Sequence, residues 1–251
     1  MKIEILGCSG GIGPGLKTTC FRIDEAVLLD AGSGIEHLPI DDLLEIRHVL
    51  ITHAHLDHIL GLPLMLATIY DKHKEPVTVH ALPDVIEALK RHIFNWVVWP
   101  DFSALPDTRP ILNYHPIDTG TTCSIGPYTV TSLPAEHPSP TSGFFISKGG
   151  NSFAFTGDSS FHRPFWEAIN RLQPQLVIAD ISFSDEAHSI AEDSGHMTAS
   201  QLSWVENVLT YKPDLRATHL KVGFEEEIAA SVLNSTRLNV KPLIHGETIR
   251  L

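Results

Sequence analysis

The most restrictive stretch of this chain is six residues long: His53-Ala54-His55-Leu56-Asp57-His58. It follows Leu50-Ile51-Thr52, which reads as a buried strand, and the chain is expected to turn before Gly61-Leu62. In an extended segment residues i and i+2 point the same way, so His53 and His55 share a face. A single histidine here would ordinarily be a polar loop residue with its hydrogen bonds met. Four ligand-type side chains at one strand end are costly to crowd together unless they share a partner. Imidazole and carboxylate together suit Zn²⁺ and similar ions.

Composition supports that direction. The chain has 15 histidines, several of them beside Asp, Gly or Thr at the ends of apolar runs. Its 251 residues, 43% of them apolar, can bury a sizeable core as a single domain, residues 1–251. Its 18 basic and 30 acidic residues give a net charge of −12. That balance disfavours long nucleic acids, whose binding needs clustered Lys and Arg. It still admits a small anion, because bound cations reverse the local field. Cys8, Cys20 and Cys123 cannot close a disulfide framework, and no Cys-x-x-Cys pair offers a thiolate zinc site. Met1–Gly7 reads as a strand entering a glycine loop, with no signal segment before it, and no apolar run reaches bilayer length. The expectation is a cytoplasmic protein with no membrane attachment.

Strand-like runs fall at Ile3–Leu6, Cys20–Ile23, Ala26–Leu29, His48–Ile51, Val77–His80, Tyr128–Leu133, Phe144–Ser147, Phe153–Thr156, Leu176–Ala179 and Ala217–His219. Asp24-Glu25 and Gly149-Gly150 look like hairpin turns. Helical patterns cover Pro83–Asn95, Pro164–Leu172, Ala199–Tyr211, with an N-cap at Thr198, and Glu225–Ser235. The order suggests two similar halves, about 1–125 and 126–251, each a sheet flanked by helices. The expected architecture is α/β, a four-layer αββα sandwich.

With these elements in place, the sequence resembles the metallo-β-lactamase superfamily, whose other landmarks recur in order. Asp30 ends Val27-Leu28-Leu29, His137 sits in Pro134-Ala135-Glu136-His137-Pro138, Asp158 in Phe155-Thr156-Gly157-Asp158-Ser159, and His219 in Ala217-Thr218-His219-Leu220. The resemblance implies two divalent metal ions, Zn²⁺ first, with Mn²⁺ or Fe²⁺ as alternatives. One ion is expected on His53, His55 and His137 and the other on Asp57, His58 and His219, with Asp158 bridging. Asp30 is implied to support the loop by hydrogen bonds. Two metals roughly 3.5–4 Å apart suit attack on phosphorus by a hydroxide bridging them.

Asp180-Ile181-Ser182-Phe183 and Ser194-Gly195-His196-Met197-Thr198 resemble the phosphodiesterase branch, which includes ribonuclease Z. By that likeness the catalytic residues are Asp57, His196 and Asp180. His196 protonates or stabilises the leaving oxygen, and Asp180 fixes its tautomer. The run His-Ala-His-Leu-Asp-His-Ile-Leu-Gly-Leu-Pro and the stretch Ile86–Pro100 are similar to class II 3′,5′-cyclic-nucleotide phosphodiesterases. The pattern departs from that family at Ala67-Thr68, where the family tends to have a serine. The expected substrate is a small anionic phosphodiester, cAMP or cGMP, hydrolysed to the 5′-monophosphate. The alternative is another hydrolase on the same site: a ribonuclease Z-like nuclease, a lactonase or a thioesterase. Ribonuclease Z grips tRNA with a flexible arm, and no Gly- and Lys-rich insertion is present to serve. Trp96, Trp99 and Phe102 are candidates to stack on a base, although such aromatics more commonly serve as core or dimer contacts. A homodimer burying that segment is a further expectation.

Other signals are discounted. The glycines between Gly7 and Gly15 match neither the Walker nor the dinucleotide pattern, and are expected to form a loop near the metal rim, where Cys8 is not a nucleophile. Glu225-Glu226-Glu227 suits a helix N-terminus. His245-Gly246-Glu247 reads as a turn between the last strands, with His245 in reserve should His219 lie elsewhere.

Overall fold

A computed structural model describes residues 1–73, 75–234 and 237–251. The early strands are β1 (Lys2–Gly7), β2 (Cys20–Ile23), β3 (Val27–Leu29), β4 (His48–Leu50), β5 (Val77–Ala81) and β6 (Leu112–Pro116). The later ones are β7 (Thr122–Ile125), β8 (Tyr128–Pro134), β9 (Ser142–Lys148), β10 (Asn151–Phe155), β11 (Leu176–Asp180), β12 (Asp214–Thr218), β13 (Val240–Pro242) and β14 (Thr248–Arg250). They form two seven-stranded sheets, ordered β14-β1-β2-β3-β4-β5-β6 and β13-β12-β11-β10-β9-β8-β7. Each sheet begins as an antiparallel meander and continues as parallel strands: β3 to β6 in the first and β10 to β13 in the second.

The helices are α1 (Ile40–Leu43), α2 (Leu56–Ile59), α3 (Gly61–Ile69), α4 (Pro83–Ala88), α5 (Arg163–Leu172), α6 (His188–Ser194), α7 (Leu202–Val208) and α8 (Glu225–Asn234). Three apolar clusters define the layers. One joins the outer face of the first sheet to α1–α4 through residues such as Val49, Val79, Leu66 and Val85. A second packs α5, α7 and α8 on the second sheet through Trp166, Leu202, Ile228 and Val177. The third lies between the sheets and holds Ile3, Phe21, Leu50, Phe144 and Phe155. This is the expected αββα sandwich. Asp24, in the β2–β3 turn, stitches the sheets together: it accepts from the Tyr128 hydroxyl at 2.6 Å and from Lys148 Nζ at 2.8 Å. No helix among the described residues is long and apolar enough to cross a membrane.

Most expected elements recur within a residue or two, and Gly149-Gly150 makes a two-residue hairpin with φ of 59° and 87°, as a primed turn requires. Three differences matter. The turn expected at Asp57-His58 is a helical one: His55 is still extended (φ −66°, ψ 146°), and α2 runs through Leu60 into α3. Pro63 obscured this, yet proline is tolerated in a helix's first turn, where its missing N–H has no partner to lose. The strand β6 was hidden because it is a sheet edge with three exposed residues and a terminal proline. The expected helix Ala199–Tyr211 starts as a 3-10 turn, with the Gln201 side chain accepting the Thr198 N–H at 3.1 Å, and stops at Val208. The helix at Glu225 is present, and Ser235 lies outside the described residues.

Candidate metal centre

Six parallel-running strand ends supply the site. Asp30 follows β3, His53 to His58 follow β4, His137 follows β8, Asp158 follows β10, Asp180 ends β11 and His219 follows β12. Carboxyl ends of parallel strands therefore bring together residues far apart in sequence. His53, His55 and His137 form one group and Asp57, His58, Asp158 and His219 another, each with its donor atoms within 4.8 Å of one another. Asp158 stands between them: its Oδ2 is 3.3 Å from His58 Nε2, 3.3 Å from His219 Nε2 and 3.7 Å from His53 Nε2. Asp180, His196 and His219 make a third, overlapping group.

Every ring but that of His55 is aimed by a bond to its other nitrogen; His55 instead turns Nδ1 to within 3.3 Å of His137 Nε2. In the first half, Asp30 is fully buried and accepts from His58 Nδ1 at 2.8 Å, the Thr52 N–H at 2.8 Å and the Thr52 hydroxyl at 2.9 Å. Thr52 Oγ1 then lies 3.0 Å from His53 Nδ1 and can accept its proton. The second half repeats the device. Asp180 accepts from His196 Nδ1 at 2.7 Å and from the Ser182 hydroxyl, whose oxygen is 2.9 Å from His219 Nδ1. Each buried aspartate thus fixes one imidazole directly and a second through a hydroxyl. His137 Nδ1 is fixed by the Gly195 carbonyl at 3.1 Å. The Nε2 atoms of these oriented rings are left facing inward. Buried His53 Nε2, His58 Nε2 and Asp158 Oδ1 have no hydrogen-bond partner. Such orphans are rare in folded chains, and together they describe a cradle for cations.

The charge balance agrees. Burial pushes the Asp158 carboxyl up, but the His219 and His58 imidazoles overcome this and hold it well below the usual range. Burial lowers His53 and His137, keeping both neutral and able to donate a lone pair. Burial would also lower His58, yet Asp158 and Asp30 hold it well above its ordinary value. With the proton on Nε2 drawn toward Asp158, His58 pairs as a cation would, and a metal ion would displace that proton. Burial raises Asp57, and the His219 hydrogen bond with His58 brings it below the ordinary carboxylate value.

Sequence reasoning missed Thr52 and Ser182, although their positions, directly before His53 and two residues after Asp180, were available as a signal. It placed the glycine loop near the rim, and Gly10 explains why that loop is glycine. A Cβ there would sit 2.5 Å from the His219 carbonyl oxygen and 2.9 Å from His219 Nδ1. Asp30 and His219 both take positive φ, 55° and 65°, costly for residues with a Cβ. Each is pinned there by its N–H, to the Leu50 and Cys8 carbonyls at 2.8 Å. The Cys8 thiol is pushed up to about 12 by burial and by Glu247, so it is no nucleophile at neutral pH. His245 lies outside the cluster, 5.0 Å from the His37 ring. Of the three aromatics, Phe102 takes the commoner role: it is core, 5.5 Å from the Tyr70 ring, and its carbonyl caps the start of β6, at the opposite end of the strand from the site. Phe102 is thus buried, whereas Trp96 is 62% exposed.

The chain belongs to the β-lactamase superfamily: the family model described as "Beta-lactamase superfamily domain" matches residues 25–245. Within it, the chain is 28% identical to a 3′,5′-cyclic-nucleotide phosphodiesterase of Aliivibrio fischeri, over 84% of this chain and 74% of that protein. Among solved structures, unliganded yeast PDE1 shares the fold with a TM-score of 0.83 and 17% identity, covering 100% of this chain and 99% of that one. Human tRNase Z, short form, shares it with a TM-score of 0.73 and 18% identity, again over 100% and 99%.

Proposed function

We propose that this chain holds two divalent cations and hydrolyses 3′,5′-cyclic nucleotides to 5′-monophosphates. The observation that carries the reading is Asp158 Oδ2 within 3.3–3.7 Å of three imidazole nitrogens, beside buried donor atoms with no other partner. The donor set would hold one cation on His53, His55 and His137 and a second on Asp57, His58 and His219, with Asp158 standing between the two groups. Nitrogen and carboxylate donors without thiolate favour Zn²⁺, with Mn²⁺ and Fe²⁺ as alternatives. When bound, the cations supply Lewis acidity toward a phosphoryl oxygen and acidify water near neutral pH.

The chain's own groups perform the rest. Burial lowers His196, but Asp180 overcomes it and raises the imidazole above its ordinary value. With Nδ1 committed to Asp180, His196 can carry a proton on Nε2 to the leaving O3′. Its ring stacks 5.1 Å from His219 and lies 5.3 Å from His137, so that proton is delivered beside the cluster. Asp57, held ionised and with a third of its side chain exposed, orients the attacking water. A compact cyclic diester needs no basic track, which agrees with a net charge of −12.

The test is a hydrolysis panel on metal-stripped and metal-reloaded protein, containing cAMP, cGMP, bis(p-nitrophenyl) phosphate, a precursor tRNA, a lactone and a thioester. Metal-dependent turnover of cyclic nucleotides supports the reading. Turnover confined to the tRNA, lactone or thioester contradicts it.

A further inference from the structure

Beside the metal centre lies a cavity of about 250 Å³ whose apolar walls are Phe183, Ala187, Ile190, Phe224 and Ile228. Phe183 links it to the cluster. The Phe183 ring is 5.8 Å from the His196 ring, and the Lys221 ammonium lies 5.4 Å from the Phe183 ring centre. The walls continue from site residues: Phe183 follows Ser182, and the loop leaving His219 passes through Lys221, bonded to the Ser182 carbonyl at 3.1 Å, to Phe224. Phe224 and Ile190 are 57% and 60% exposed, which is unfavourable for large apolar side chains with nothing to cover them.

We propose that this cavity receives the nucleobase of the substrate. The inference rests on the phosphodiesterase reading. In hydrolysis to a 5′-monophosphate, the leaving O3′ remains part of the nucleoside. The nucleoside therefore stands on the side of the residue that protonates it, and Phe183, whose ring neighbours that of His196, is a wall of this cavity. Its volume is below the ~300–1,000 Å³ of pockets for whole drug-sized ligands, and suits one flat ring system. The carboxylates of Glu186 and Glu227 at its margin repel a phosphate and accept from the amino group of a base. Phe102 is excluded from this role by its burial at the opposite strand end.

The experiment is steady-state kinetics of wild type and the double variant Phe224→Ala/Ile190→Ala on cAMP and on the abasic ribose 3′,5′-cyclic phosphate. Thermal melting and cation content establish that the variant is folded and loaded. Removing a stacking wall weakens base binding by roughly tenfold. Wild type is expected to prefer cAMP over the abasic diester by at least tenfold in kcat/KM, and the variant to lose most of that preference through KM. A variant that keeps the preference, or a wild type that has none, overturns the proposal while leaving the phosphodiesterase reading standing. A wild type that hydrolyses neither compound removes that reading and this one together.

Discussion

Asp30 has no direct contact with substrate in the proposed reaction, yet replacing it should cost both stability and cation affinity, in separable amounts. Its carboxylate accepts from three buried donors: the Thr52 N–H, the Thr52 hydroxyl and His58 Nδ1–H. Asp30→Ala strands all three. At about 1–3 kcal/mol for each buried unsatisfied donor, with some relief from water entering the gap, the loss is about 3–6 kcal/mol. Net stabilities are only about 5–15 kcal/mol, so the metal-free variant should melt far below wild type or fail to fold. Asp30→Asn separates the effects. Its amide oxygen can still accept from Thr52, but its NH₂ then faces His58 Nδ1. His58 must present a lone pair there and carry its proton on Nε2, the atom 3.3 Å from Asp158. Loss of a partner that orients a metal-binding histidine costs roughly 10–100-fold in cation affinity. Competition against a chromophoric chelator measures the affinity, and urea denaturation in EDTA measures the fold. An Asn variant that binds cations as tightly as wild type would refute the orienting role.

His196→Ala should lower kcat by about 10²–10⁴-fold with cations retained by elemental analysis, and a matching loss of cation would contradict its role as proton donor. His80 is held near 3 by burial and by the imidazoles of His48 and His115. The unfolded chain protonates it below about 6.5 and the folded chain only near 3, so it makes stability fall as pH drops across that window. In parallel melts, His80→Asn should flatten this slope relative to wild type. Burial raises Asp24, but Lys148 and Tyr128 bring it down to about 2. Its contribution is full above the unfolded value of 3.8 and disappears as pH falls toward 2, so Asp24→Asn should weaken the fold at pH 7 and narrow its difference from wild type in acid.

Much of this was legible in sequence because the informative residues terminate apolar strands. Val27-Leu28-Leu29 into Asp30, Leu50-Ile51-Thr52 into His53 and Phe155-Thr156 into Asp158 each announce a strand and then a chemical group at its carboxyl end. What stayed hidden depends on tertiary contact. Edge strands such as β6 have no apolar face to betray them, and β13 and β14 are three residues each, too short for a period to show. The serine and threonine links were hidden because Thr52 and Ser182 look ordinary until the fold sets each between an aspartate and an imidazole. The aromatic cavity joins α6 to the start of α8 beside Phe183, a juxtaposition with no local signature.

The central claim is that the seven inward-facing side chains hold cations as a set. Inductively coupled plasma mass spectrometry on the purified chain and on Asp158→Ala tests this directly. Two divalent ions per wild-type chain are expected, falling to one or none when the shared carboxylate is removed. A wild type that binds no metal after reloading, or an alanine variant that still holds two ions as tightly, would contradict it.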